Sequence, residues 1–347
     1  MGSSRRYGEV GSLTEDVKIR PADAVGTIHS RPRVVWWAWL GVVFVATETV
    51  AIIGWVANGH ATPTHAIAAD VPSYAKISAV IIQTICVLTC IGVVTYVVRQ
   101  CWRQRSLTFA GVITIVGTSL WWQDSLMNYI RPQAGYNSYY VNLGSLNSDV
   151  PGWLSPNGHV LPEGLLLELT IYISMLLYAQ LGAAAMRKAR SRWPTISVAA
   201  LIAVGFGTLA LFNVVSELAI NIPSRSYGWS STIGWLTLFG DETYRYPVYE
   251  GILSAFVFAP SAMLLFFLDD RGLSVVEQGI ERIRGGPAKR NAIRLLAVAG
   301  FLNLCFLGYN IPINWIALHT DHHYTLPSYI SNDTCGLTVA NKCPEAP

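Results

Sequence analysis

Seven stretches of this chain are apolar for long enough to cross a bilayer, and nothing else in the sequence constrains it as much: 34–57, 74–98, 107–130, 163–186, 197–221, 247–268 and 293–318. A helix needs about 20 residues to cross ~30 Å of hydrocarbon. In lipid every backbone N–H and C=O has to be paired within its own segment, so helices follow from runs of this kind. Only 13% of the residues are charged, about half the share usual in a soluble globular chain. The predicted fold is all-α, a polytopic transmembrane helical bundle of about seven spans.

Lysine and arginine set the orientation. All but five of the 24 fall in the first tail and in the second, fourth and sixth connections. The exceptions are Lys76, Arg131, Arg225, Arg245 and Lys342. The basic side of such an alternation is cytoplasmic, which predicts a multi-pass protein of the cytoplasmic membrane with its N-terminus inside and its C-terminus outside. Residues 1–33 then form a cytoplasmic polar tail, 34–318 the membrane domain and 319–347 an extracytoplasmic tail. Cys86, Cys90, Cys101 and Cys305 read as small core residues, whereas Cys335 and Cys343 could pair if their tail is extracytoplasmic. The outer connections 131–162 and 222–246 are long, and loops of that length usually carry function. The basic segment 269–292 reads as an amphipathic surface helix broken at Gly285, Gly286 and Pro287.

Polar residues inside the apolar runs are one-sided. Asp124 and Asn128 lie near the outer end of the third run, spaced to share a helical face with Trp121. Asn213, Glu217 and Asn221 follow at four-residue steps in the fifth run. Glu163 and Glu168 open the fourth and Glu250 the sixth. Asn303, Asn310 and Asn314 mark one face of the seventh, Glu48 lies past the middle of the first, and Gln83 in the outer half of the second. Carboxyl groups in a bilayer are costly and usually face a protein interior or a watery cavity, so the expected geometry is a polar cavity in the outer half, capped by the long loops. For any one amide the plainer reading is a hydrogen bond between helices. Tyr129, Tyr136, Tyr139, Tyr140 and Trp153 could equally be an interfacial belt. Pro312 is expected to kink the last span.

Other chemistries find no support. His319, Asp321, His322 and His323 follow no recognised metal-ligand spacing. No lysine lies mid-span to form a Schiff base, and phosphate cradles, CxxC pairs and nucleophile motifs are missing. No basic face interleaved with aromatics suggests nucleic acid. Neither a metal nor a cofactor is expected.

A set of motifs in the middle of the chain is more specific: WRQRSLTFAG (102–111), WWQDSLMNY (121–129), YNSYYVNLGS (136–145), DVPGWLSP (149–156) and PEGLLL (162–167), then YRYPVYEG (244–251), DRG (270–272) and YNIPINW (309–315). Over roughly residues 100–315 the chain resembles the AveC-like spirocyclase family of actinobacterial membrane proteins. The resemblance implies an enzyme of polyketide biosynthesis that closes a dihydroxy-ketone into a spiroketal, some relatives also dehydrating. Such a closure needs a general acid, an anionic or dipolar group beside an oxocarbenium ion, and an apolar wall. On that reading Asp124 is the proton donor and Glu217 or Glu250 the stabilising carboxylate. Tyr136, Asn137, Tyr140 and Asn142 hold substrate oxygens, with Asn128, Glu163, Asn213 and Asn310 also in the binding set and Trp121 and Trp122 as the wall. The expected partners are the bilayer and a lipophilic small-molecule substrate.

Two other readings follow from the same residues. A transporter or lipid-handling protein would also enclose a polar cavity, though many transporters carry paired repeats and none is visible here. An accessory protein would instead dock a partner enzyme through 269–292.

Overall fold

The computed structural model describes residues 32–64, 71–155, 157–323 and 326–331. The N-terminal tail and both tail cysteines lie outside them.

The chain forms an all-α polytopic bundle. Its first two helices are long and straight, α1 (Arg33–Ala57) and α2 (Ser73–Gln104), each entered through a proline at the N-cap. Their outward residues are large and apolar, among them Trp39, Val43, Ile53, Ile81, Leu88 and Ile91, as a lipid-facing surface requires. The third apolar run differs from the straight span expected. It is α-helical only over α3 (Phe109–Ser119), capped by Thr108 Oγ1 on the Gly111 N–H, and then tightens into a 3-10 helix over Leu120–Asn128. The fourth run is bent by 44° between α4 (Leu165–Ile173) and α5 (Met175–Arg192).

The fifth run is α6 (Val198–Ser216), a π-turn at Glu217–Asn221 and the short α7 (Ile222–Ser224). The sixth is α8 (Val248–Leu253) followed by the largely buried α9 (Ala255–Phe266), and the seventh is α10 (Pro287–Ala317). A short α11 (Ser328–Ser331) closes the described chain. Among the described residues, five helices are long and apolar enough to cross a membrane, and the bent α4–α5 pair, taken as one span, makes a sixth. The third run is a half-length α-helix completed by its 3-10 extension.

The basic segment is not the amphipathic helix expected. Residues 269–286 are turns with one 3-10 turn at Ile280–Arg282, and α10 begins at Pro287. Polar side chains supply the reason. Asp269 accepts the N–H groups of Arg271 and Leu273 and the Arg271 guanidinium, and buried Glu277 accepts Ser274 N–H and Oγ–H and the Arg294 Nε–H at 2.7 Å. The bonds to the backbone N–H groups of Arg271, Leu273 and Ser274 compete with helical pairing. The break at Gly285–Pro287 falls where the sequence puts it.

Three two-stranded ribbons tie the outer connections together. β1 (Ala134–Tyr136) pairs antiparallel with β2 (Tyr227–Trp229), in the register Ala134 to Trp229 and Tyr136 to Tyr227. β3 (Ser231–Thr232) pairs with β6 (His322–His323), and β4 (Thr237–Leu238) with β5 (Tyr246–Pro247). The two long connections are therefore stitched into one cap over one end of the bundle.

Candidate functional site

Beneath this cap lies a partly open cavity of about 850 Å³. It is lined from five directions. The 3-10 helix supplies Asp124, Ser125, Met127 and Asn128; α4 supplies Leu167, Ile171 and Tyr172. Asn213, Glu217 and Asn221 come from α6 and its π-turn, Glu250, Val257 and Phe258 from α8 and α9, and Phe306 and Tyr309 from α10. The β1–β2 ribbon and the segment leading into α4 close it with Tyr136, Tyr227, Trp229, Leu161 and Glu163. All these helix ends meet at the end of the bundle that carries the long connections, away from the basic loops.

Carboxyl groups and phenols meet here in two groups. In the first, Asp124 receives the Tyr136 hydroxyl at 2.8 Å and the Tyr172 hydroxyl on its other oxygen, while Glu163 accepts the Ser145 hydroxyl. Glu168, behind this wall, accepts Trp121 Nε1–H at 2.7 Å. In the second, Glu217 accepts the Tyr227 hydroxyl and Asn221 Nδ2–H, and Glu250 accepts Asn213 Nδ2–H and the Tyr246 hydroxyl, both at 3.2 Å. The rings of Tyr136 and Tyr227 join the two groups, edge to face at 5.8 Å. Burial, and after it the neighbouring Asp124 carboxyl, hold the Tyr136 phenol well above its ordinary value. Burial and then Glu217 do the same to Tyr227. Both ribbon tyrosines therefore stay O–H donors throughout the physiological range.

No lysine, arginine or histidine is among the lining residues, and none of these acids is ion-paired among the described residues. The remaining wall is apolar. The cavity thus offers proton-exchanging groups at two places with no fixed cation between them.

The 3-10 helix is what aims Asp124. With three residues per turn, Asp124 and Asn128 are not on the shared face that α-helical spacing implied; Trp121, Asp124 and Met127 align instead. Carbonyls that α-helical pairing would occupy are met by side-chain amides. Asn310 Nδ2 donates to the Gln123 carbonyl at 3.1 Å, Asn314 Nδ2 to Leu126 at 2.7 Å, and Gln133 Nε2 to Met127 at 2.6 Å. Asn303 binds Gln123 Nε2 at 2.6 Å and Trp122 Nε1 at 3.1 Å through Oδ1. The asparagine stripe of the last span serves as interhelical hydrogen bonding.

The structure brings together Asp124, Glu217, Glu250, Asn128, Tyr136, Glu163 and Asn213 in the cavity wall. It places Trp121, Trp122, Asn137, Tyr140, Asn142 and Asn310 outside it. Trp121 and Trp122 spend their indole N–H groups on Glu168 and Asn303. Asn137 caps the turn at Tyr139, Tyr140 bonds Ser226 at 2.8 Å, and Asn142 ties Thr64 to the outer loop. Tyr172, Tyr227, Trp229 and Tyr309 went unnoticed in the sequence. In or beside apolar runs, aromatic side chains look like core, and only their convergence marks them.

A family model described as Spirocyclase AveC-like matches residues 102–328, a range that contains every cavity-lining residue named above. No curated protein and no solved structure matches the chain.

Proposed function

Because this chain belongs to the AveC-like spirocyclase family, we propose that it is a membrane-embedded cyclase that closes a lipophilic, polyketide-like dihydroxy-ketone into a spiroketal. One observation carries the reading: two carboxyl–tyrosine groups face a single cavity beneath the cap that has an apolar remainder and no basic side chain. One substrate hydroxyl adds to the ketone carbon and gives a hemiketal. Asp124 passes a proton to the hemiketal hydroxyl, which leaves as water. The oxocarbenium ion that remains is stabilised by the Glu217 and Glu250 carboxylates, and the second hydroxyl captures it and gives up its proton to one of them. Once that proton has returned to Asp124, the balance is dihydroxy-ketone to spiroketal plus one water, with no oxidant or cofactor consumed. Enclosure matters because an oxocarbenium ion exposed to bulk water would be hydrolysed back.

The charge alternation supports the orientation that puts the cap and cavity on the outer side of the cytoplasmic membrane. An apolar substrate reaches such a site laterally, through the bilayer.

The test compares lipid-soluble metabolites of host cells carrying the intact gene, a deletion, and Asp124→Asn at matched protein level. Both altered strains should accumulate one compound that differs from the wild-type product by one water. Asp124→Asn that folds and forms product at the wild-type rate removes Asp124 from its role. An unchanged inventory that is redistributed between cells and medium replaces the cyclase with a transporter.

A further inference from the structure

In the cavity wall, Trp229 carries a hydrogen-bond donor for which the protein supplies no acceptor. Trp229 is 2% exposed, its indole Nε1 has no hydrogen-bond partner, and the residue lines the cavity. Leaving a buried donor unpaired costs about 1–3 kcal/mol, so a group of this kind in a ligand-sized site calls for an acceptor. Its surroundings explain how it is held. Successive side chains of a strand alternate between faces, and β2 sends Tyr227 and Trp229 to the cavity side while a Cβ at Gly228 would meet Leu326 and Ile330 on the other. Trp229 lies opposite Ala134 in the ribbon register, and its ring meets that of Tyr227 edge to face at 6.3 Å. The neighbouring donors are already spent: the Tyr136, Tyr172 and Tyr227 hydroxyls on Asp124 and Glu217.

We infer that Trp229 Nε1–H is the site's recognition donor for a neutral ligand oxygen, the ketone of the open substrate and the ring oxygen of the closed one. The acceptor is neutral because four carboxyl groups and no cation line the wall, so an anionic carboxylate or phosphate entering it would meet only repulsion. Trp229 is on this account a specificity-determining residue. The choice of ketone and ketal as ligands rests on the cyclase reading, whereas the unspent donor does not.

The experiment uses the full chain in detergent and two probes of one shape: the unsubstituted spiroketal built of two six-membered rings, and the hydrocarbon in which both ring oxygens are carbon. Wild type should bind the spiroketal more tightly than the hydrocarbon in thermal-shift titrations. Trp229→Phe keeps the aromatic wall and removes the N–H. It should bind the spiroketal about tenfold more weakly, the value of one lost hydrogen bond in a dry site, with the hydrocarbon unchanged. Equal losses for both probes would make Trp229 a packing residue and overturn the inference. So would an unchanged spiroketal preference, or no preference in wild type. If Trp229→Phe does not fold, isotopically labelled tryptophan in the wild type decides: one indole N–H resonance should move on adding spiroketal and stay on adding hydrocarbon, and no such resonance overturns the proposal. A metabolite inventory left unchanged by the deletion would sink the cyclase reading and leave this measurement standing.

Discussion

His159 lies half-buried in the 131–162 connection. It stacks on His60 at 4.5 Å, its N–H is bonded to Ser148 Oγ at 2.9 Å, and His60 Nδ1 pairs with Asp149 at 2.8 Å. These contacts fasten the crown of the 131–162 connection to the chain leaving α1. Burial, and next the proximity of His60, hold the His159 imidazole below its ordinary value, with Asp149 pulling partly the other way. A histidine depressed in the folded state contributes stability that is complete above the unfolded value of about 6.5 and is lost as pH falls toward the folded one. Hydrogen-exchange protection at 144–155 and 157–160, corrected for the intrinsic pH dependence of exchange, should therefore fall as pH drops below about 6.5, and His159→Gln should flatten that response. At the cavity, the same scale shows why a carboxyl next to a tyrosine is hard to see in a sequence. Asp124 and Tyr172 are 48 positions apart, and no local spacing announces the pair.

Among elements, α1 and α10 lie closest. A Cβ on Gly41 would stand 1.9 Å from the Leu296 carbonyl oxygen, and one on Gly300 would stand 2.2 Å from that of Trp37. Small residues let helix backbones approach in a membrane, where there is no hydrophobic drive between helices. Gly300→Leu should therefore part the two helices and cost about 1–3 kcal/mol of stability, read as a lower unfolding midpoint in denaturing detergent. Gly92, where a Cβ meets nothing within 4 Å, is the control expected to tolerate alanine. One element the sequence misjudged is the third run. Its hydropathy promised a straight span, but Gln123 and the asparagines of α10 offer bonds that hold Leu120–Asn128 as a 3-10 helix. Periodicity cannot report that choice, because the partners are about 180 residues away.

At the scale of the whole molecule, the cavity, the cap and the long connections share one end of the bundle, and the basic connections share the other. In a background with its six cysteines replaced, single cysteines at Ser191 and Glu242 should react with an impermeant thiol reagent from opposite sides of the membrane, Glu242→Cys from outside. Labelling of both from one side would break the alternation on which the topology rests.

The sequence by itself determined the all-α membrane class, the length and order of the apolar runs, the asymmetry of charge, the break before Pro287 and the family. Each of these is local or compositional, since hydrocarbon demands internally paired backbone and leaves the pattern in consecutive residues. It also marked the acids of the cavity, because a carboxyl group in an apolar run is conspicuous wherever it points. Only the tertiary structure decided which polar groups face the cavity and which bind helices together. It turned Asn310 and Trp122 to structural bonds and left the Trp229 N–H without one. The energy that separates those outcomes lies in partners far away in the chain, and a buried donor or acceptor takes whichever partner the packing brings within reach.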